Sequence, residues 1–464
     1  MRDIRRRGIL IACTILVVAL AAATWRAIPI LTLGVAYKAK MLCSGVFVSS
    51  QASDAVLAEL QTDDLAALRY IRSTVDMAAQ SVTATGLGVV SRTAVYREGL
   101  GCALALDGLI PPRMPANASE IVGSIQAHAA PMPKGPAAPA LDAVVSRAFS
   151  EPDPRRRRRT RAVVIVHDGH VVYERYAPGI DGETALPGWS MTKSVTNALV
   201  GILVGRRLLT LQGPVPIPEW NRAGDPRASI TLGHLLQMSS GLAFDEGMTS
   251  PRSDVMRMLL GVGDSAMLAI QKDLTAAPGT DWRYSSGTTN ILARVIRNVL
   301  PDDAHHLQFP QRALFNRVGM SSAVLETDAS GTFVGSSYMY ATARDWARFG
   351  TLYLQDGVWN GERVLPAGWV EYSTTPAPAD LDKRYGAHFW LQIPDEYRGS
   401  NQPLPVGTYH AVGHEGQFVT IVPNRRVVIV RLGHTRYPEA WDHSAFVSEV
   451  ITALDADNQR WRPP

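Results

Sequence analysis

The amino-acid sequence predicts a mixed α/β (α+β) protein: an antiparallel sheet flanked by helices and interrupted by a mostly helical inserted subdomain, preceded by a small N-terminal α+β unit and a membrane-anchor helix. Three observations support this. Short β-branched runs stand near both ends of residues 140–464, helical periodicity fills the stretch between them, and the first 25 residues join a basic head to an uncharged run. With 464 residues, 46% hydrophobic and 19% charged, the chain has apolar material for one large core and a smaller one.

The N-terminal helix is assigned to residues 1–37. "MRDIRRRGILIACTILVVALAAATW" has four arginines by position 7 and then eighteen uncharged residues from Gly8 to Trp25. At about 1.5 Å per residue these cover roughly 27 Å, close to the hydrocarbon thickness of a bilayer. The arginines hold the leading end in the cytoplasm. A single pass through the inner (cytoplasmic) membrane, with the body of the chain on the periplasmic side, is therefore expected. Ala21-Ala22-Ala23 offers a signal-peptide alternative. The apolar stretch Ala27–Tyr37 favours an uncleaved anchor, and both readings export the protein. Cys13 lies in the span. In an oxidising compartment the remaining pair, Cys43 and Cys102, suggests a disulfide, with two buried thiols as the alternative.

Residues 38–103 read as the small unit. "ASDAVLAELQTDDLAALRYI" has helical periodicity, and "STVDMAAQSVTATGLGVVSRTAVYR" alternates β-branched residues between glycines, as a short antiparallel sheet does. Spacing the large domain from the membrane is the role expected of it. Residues 104–139 carry seven prolines and many alanines and read as an extended linker or wrapping segment.

The large domain, residues 140–464, opens with the helix "ALDAVVSRAFS" and the run Arg155–Arg159, read as a solvated face. "RAVVIVHDG" and "HVVYERYAPG" follow as a hairpin on an Asp-Gly turn. A helix begins at Ser190, and residues 205–400 are mostly helical. "HAVGHEGQFVTIVPNRRVVIVRLGH" supplies a second strand pair, and "SAFVSEVITALDA" a closing helix. His305-His306 is expected in an exposed polar loop. No close cysteine or histidine cluster points to a metal, so no metal and no cofactor is expected. The net charge of +4 is scattered without interleaved aromatics, which argues against a nucleic-acid partner.

"PGWSMTKSVTNALVGILVG" places Ser190 three residues before Lys193 at a helix start, on one face. A serine alkoxide needs a base, and a lysine with a depressed pKa supplies one where arginine cannot. The chain has six lysines against forty arginines, so a lysine here carries weight. An N-cap serine beside a surface lysine is the bland alternative, since the spacing alone is a weak signal. In "PGTDWRYSSGTTNILARVI", Tyr284 precedes Ser285-Ser286 and a second helix; an ammonium nearby would stabilise its phenolate and let it pass a proton to a leaving group. In "GHEGQFVTIVPN", Gly413 and Gly416 surround His414 at a strand start, where a backbone N–H can join that of Ser190 in an oxyanion hole. Trp189 is a candidate pocket lining.

Taken in order, "SMTKS", "ITLGHLLQMSSGL", "PGTDWRYSSG", "SSYMYATARDWARFGTLYLQDG" and "GHEGQ" resemble the serine β-lactamase and penicillin-binding-protein superfamily. The resemblance is to its class C-like esterase and 6-aminohexanoate-dimer hydrolase branch, over roughly residues 140–460. It implies a β-lactamase/transpeptidase-like fold, with Ser190 as the acylated nucleophile, Lys193 as its lysine and Tyr284 as the second-motif tyrosine. Ser286 stands where many members have the asparagine of Tyr-x-Asn. His414-Glu415-Gly416 stands where they have Lys-Thr-Gly, which leaves the oxyanion segment open within Gly413–Gln417. The missing lysine removes a partner for a β-lactam carboxylate. The expected function is therefore an extracytoplasmic serine hydrolase acting on a small-molecule amide or ester, or on a cell-envelope peptide. The alternatives are a peptidoglycan-directed D,D-peptidase or D-aminopeptidase, and a non-catalytic envelope sensor with the same fold.

Overall fold

The computed structural model describes residues 2–114, 132–248 and 250–460. Most of the proline-rich linker, 115–131, lies outside the described residues. Its two flanks are fastened to the protein. The Pro112 carbonyl accepts from Arg97, and Pro133 and Gly135 exchange backbone hydrogen bonds with Val171.

One unbroken helix, α1 (Arg2–Phe47), replaces the expected boundary between residues 37 and 38. Side chains of the uncharged run before Trp25 are largely outside the description, Cys13 included. The stretch Ala27–Phe47 is long and apolar enough to cross a bilayer. Yet Leu33, Val35, Ala36, Ala39 and Leu42 are buried against the small unit rather than available to lipid. The reason is a sheet with one apolar face. Strands β1 (Ile71–Asp76), β2 (Ser81–Gly86), β3 (Val90–Arg97) and β4 (Gly101–Leu104) form an antiparallel meander. Val82, Ala84 and Ala94 alternate inward onto α1, as a period-two pattern requires. A short helix, α2 (Ser53–Leu60), covers one end. Cys43 on α1 and Cys102 on β4 form a disulfide with Cα atoms 6.1 Å apart.

The small unit is docked on the large domain. Lys40 Nζ and Glu326 Oε2 lie 2.5 Å apart, both side chains at most 2% exposed. Ser44 Oγ and the Cys102 N–H also donate to Glu326, at 2.9 and 2.7 Å. Arg97 Nη1 donates to Thr327 Oγ1 at 2.8 Å.

The large domain is built on a five-stranded antiparallel sheet from both chain ends. After α3 (Ala140–Ala148) come β5 (Thr160–His167) and β6 (His170–Tyr176), the expected hairpin. Helices α4 (Thr192–Gly205), α5 (Ser286–Val299) and α6 (Ala343–Leu354) belong to the middle. Strands β7 (Tyr409–Gly413), β8 (Gln417–Val422) and β9 (Val427–Gly433) and the closing helix α7 (His443–Arg460) complete it. The strand order is β7-β8-β9-β5-β6. Val163, Ile165 and Ile429 face α3 and α7, while Val164, Val166, Val428 and Val430 face α6 and the helical middle. Burial on both faces explains why these strands read as continuous apolar runs.

Two local expectations are corrected. His305-His306 lies in a helix, Asp303–Pro310, where Asp302 caps His305 while His306 is fully buried against Phe333. The arginine run is not wholly free: Arg159 pairs with Asp63 at 2.5 Å, and Arg158 donates to the Ala440 carbonyl at 3.2 Å.

Candidate active site

Ser190 sits on a 3-10 turn, Trp189–Met191, that runs directly into α4. The turn is entered through an unusual backbone: Trp189 has φ 47°, in the left-handed region that a bulky residue rarely adopts. Gly188 precedes it with no side chain, because a Cβ there would overlap the Trp346 ring. Trp189, the candidate pocket lining, packs largely inward. It is buried, tilted against Tyr338 with centroids 6.3 Å apart and edge-on to His414 at 5.5 Å, and it locks the turn from below.

Helix α4 presents Lys193 one turn on, 1% exposed. Its Nζ lies 3.1 Å from Ser190 Oγ, 3.0 Å from Ser286 Oγ and 3.1 Å from the Ser336 carbonyl oxygen. The carbonyl is held in place from two helices: Thr196 Oγ1 on α4 donates to the Gly335 carbonyl, and Asn290 Oδ1 on α5 accepts from Ser336 N–H. On the other side of α4, Asn197 accepts from Tyr353, Trp369 and Ser373 and donates to the Ala387 carbonyl, which fixes the helix against the core. Loss of hydration lowers the Lys193 pKa to about 8, opposed by the charge of Glu246. Near neutrality part of the population therefore carries a free lone pair.

Tyr284 and Ser190 hydroxyls are hydrogen-bonded to each other, and the Lys193 ammonium stands 4.8 Å from the Tyr284 ring centroid. The expectation of a phenolate stabilised by that ammonium is overturned. The cation faces the ring, and burial, reinforced by Glu246, pushes the phenol well above its ordinary value. Tyr284 is a neutral hydrogen-bonding group here. Its ring stacks on Trp390 at 5.6 Å and meets Tyr385 edge-on at 5.9 Å, so an aromatic cluster fixes the orientation of the phenol.

The third motif closes the site from the edge strand. A Cβ on Gly413 would overlap the carbonyl oxygen of Gly188, so only glycine brings β7 this close to the turn that carries Ser190. Exposed His414 stands over Trp189. Two members of the expected oxyanion segment are committed elsewhere. Gly416, at φ 76°, donates its N–H to Tyr397 Oη at 3.0 Å. Gln417 spends its amide on the carbonyls of His414, Glu415 and Gly433 and on the Gly433 N–H, binding the hairpin to β9. Glu415 turns away to His434 at 2.9 Å.

Sequence reasoning missed Glu246. It follows Asp245, whose N–H and carbonyl are pinned by Asp254 and Val255, and it reaches α5 from that anchored loop. One oxygen accepts from Ser286 N–H at 2.8 Å and the other from the Ser286 hydroxyl. Ser286 thus sits between lysine and carboxylate. An acidic pair in "AFDEGMTS" has no spacing to the other motifs that would have announced it.

A family profile described as Beta-lactamase matches residues 141–450. The 6-aminohexanoate-dimer hydrolase of Paenarthrobacter ureafaciens is 25% identical over 373 residues, 72% of this chain and 90% of that relative. A Bacillus anthracis structure provisionally designated 6-aminohexanoate-dimer hydrolase superposes with a TM-score of 0.55 at 23% identity, covering 65% of this chain and 80% of the other. A family VIII carboxylesterase structure gives 0.51 at 16% identity, over 70% of this chain and 99% of its own. At these identities the two structural matches show the fold.

Proposed function

Because this chain belongs to the beta-lactamase family, we propose that it is an extracytoplasmic serine hydrolase that cleaves an amide or ester through an acyl-enzyme on Ser190. The observation that carries the reading is the dehydrated Lys193 amine 3.1 Å from Ser190 Oγ, with its pKa lowered to about 8. Lys193 takes the hydroxyl proton as Ser190 Oγ attacks the substrate carbonyl carbon. The oxyanion that forms is held by the N–H groups of Ser190 and His414, since the Gly416 N–H is already engaged by Tyr397. Lys193, 3.1 Å from Ser190 Oγ, then returns the proton to the leaving amine or alcohol as the carbonyl reforms and that bond breaks, with the neutral Tyr284 phenol beside Ser190 as a hydrogen-bonding partner for the departing group. Water then repeats the sequence on the acyl-enzyme.

The substrate favoured is a linear amide or ester. The turn that takes the place of Lys-Thr-Gly carries His414 and a Glu415 committed to His434, so it offers no fixed ammonium for a β-lactam carboxylate. The basic head, the uncharged run and the Cys43–Cys102 disulfide support an exported, membrane-anchored protein. The test is labelling with a fluorophosphonate, followed by turnover of short-chain esters, linear amino-acid oligoamides, D-amino-acid peptides and a chromogenic cephalosporin. Labelling of wild type with none of Ser190→Ala supports the acyl-enzyme; equal labelling of both overturns it. Preferred turnover of the D-amino-acid peptides would replace the substrate assignment with a peptidoglycan one.

A further inference from the structure

The hydrogen-bond inventory around Lys193 has a polarity. The Ser336 carbonyl can only accept. The Ser286 hydroxyl has one proton, and it is given to Glu246, so toward Lys193 that hydroxyl too can only accept. A neutral lysine amine has two protons and one lone pair. With both protons drawn to Ser286 and Ser336, the hydrogen-bonding neighbour left among the described residues to donate into the lone pair is Ser190.

We infer that Glu246 is a positioning residue for acyl transfer: acting through the Ser286 hydroxyl, its carboxylate orients the Lys193 lone pair onto Ser190 and sets the pH at which that lone pair is free. The inference rests on the acyl-enzyme reading above. Its geometry is preorganised, since the loop bearing Glu246 is anchored through Asp245 to Asp254, itself held by Lys272 at 2.5 Å. The groups facing Lys193 are Glu246, the Tyr284 ring and buried His388, whose imidazole is held neutral by burial and by the lysine charge. Those facing Glu246 are Lys193, Asp245, Tyr284 and Tyr385. Of these, Glu246 is the group whose charge holds a proton on Lys193 against dehydration.

Glu246→Gln reverses the relay. To accept from the Ser286 N–H, the glutamine oxygen must take that side, which turns its NH2 toward the Ser286 hydroxyl. The Ser286 proton is then free to enter the Lys193 lone pair in competition with Ser190. The lost negative charge also makes the ammonium easier to deprotonate.

The experiment measures the second-order rate of fluorophosphonate acylation from pH 5 to 10 on the full-length, detergent-purified protein. The expected result for Glu246→Gln is an acid limb moved down by about one unit, the scale of a nearby countercharge, with the high-pH plateau reduced about tenfold, part of a general base's usual contribution. Glu246→Asp restores the limb toward wild type, which a merely structural role would not do. A Glu246→Gln profile that superimposes on wild type, while Ser190→Ala stays unlabelled, overturns this inference and leaves the acyl-enzyme intact. Labelling of Ser190→Ala overturns the underlying reading instead. If Glu246→Gln does not fold, Ser286→Ala decides: a plateau reduced about tenfold with the limb in place supports the relay, and an unchanged plateau refutes it.

Discussion

Breaking the ion pair between Lys40 and Glu326 should destabilise the whole protein, not only its N-terminal unit. Glu326 is fully buried and receives Lys40 Nζ, Ser44 Oγ and the Cys102 N–H. Glu326→Ala strands the Lys40 ammonium, 2% exposed, beside the Ser44 hydroxyl and the rings of Tyr338 and Tyr340, 4.1 and 5.8 Å away. Removing one member of a buried pair costs about 3–5 kcal/mol, and this variant belongs at the upper end. Lys40→Met belongs at the lower end, because two neutral donors still serve the carboxylate. Lys40→Met with Glu326→Leu should recover most of the loss, since both charges leave together; the Ser44 and Cys102 donors left unpaired still cost about 1–3 kcal/mol. The assay is guanidinium unfolding of the detergent-purified protein, followed by far-ultraviolet circular dichroism and tryptophan fluorescence. Tyr338 lies two residues from the carbonyl that holds Lys193 and packs on Trp189, so acylation should slow in parallel. Single variants within about 0.5 kcal/mol of the parent, the range of inconsequential surface changes, would refute a docked unit. So would a double variant no better than the worse single one.

Lys193→Arg should fold and lose acylation by about a hundredfold to ten-thousandfold, because a guanidinium does not give up its proton in this range. In wild type the acylation rate should rise with pH through about 8: the base works only when neutral, and its folded pKa lies there. A rate flat from pH 6 to 9 would count against Lys193 as the base. Gly413→Ala drives a Cβ into the Gly188 carbonyl and should cost about 1–3 kcal/mol while slowing acylation, read by thermal unfolding and probe labelling together. Cys43→Ser with Cys102→Ser opens a link between residues 59 apart and should lower stability by about 4 kcal/mol, seen as a reduced guanidinium midpoint.

Much of this protein was legible in one dimension because its signals are local. The hairpin at residues 160–176 follows from two β-branched runs and an Asp-Gly turn, and the closing helix from its periodicity. Ser190 and Lys193 are one helical turn apart, so their proximity is a property of the backbone repeat. The ordered motifs carried the family, and the profile match over residues 141–450 agrees.

What the chain alone left open depended on contacts between distant residues. A boundary at residue 37 looked natural because the apolar content changes there; a helix, however, continues for as long as something buries its face, and the small sheet does so up to Phe47. Tyr284 was expected as a stabilised phenolate from its neighbourhood to a cation, but whether a cation meets the hydroxyl or the ring is set by packing, and here it meets the ring. Glu246, 53 positions from Lys193 in sequence, reaches it through Ser286 only after a loop and two helices converge. The sequence by itself determined the family, through its ordered motifs, and the pairing of Ser190 with Lys193, because spacing along a helix encodes their proximity. Only the tertiary structure decided which protons those groups exchange, because burial and third-party hydrogen bonds, unlike spacing, are not written along the chain.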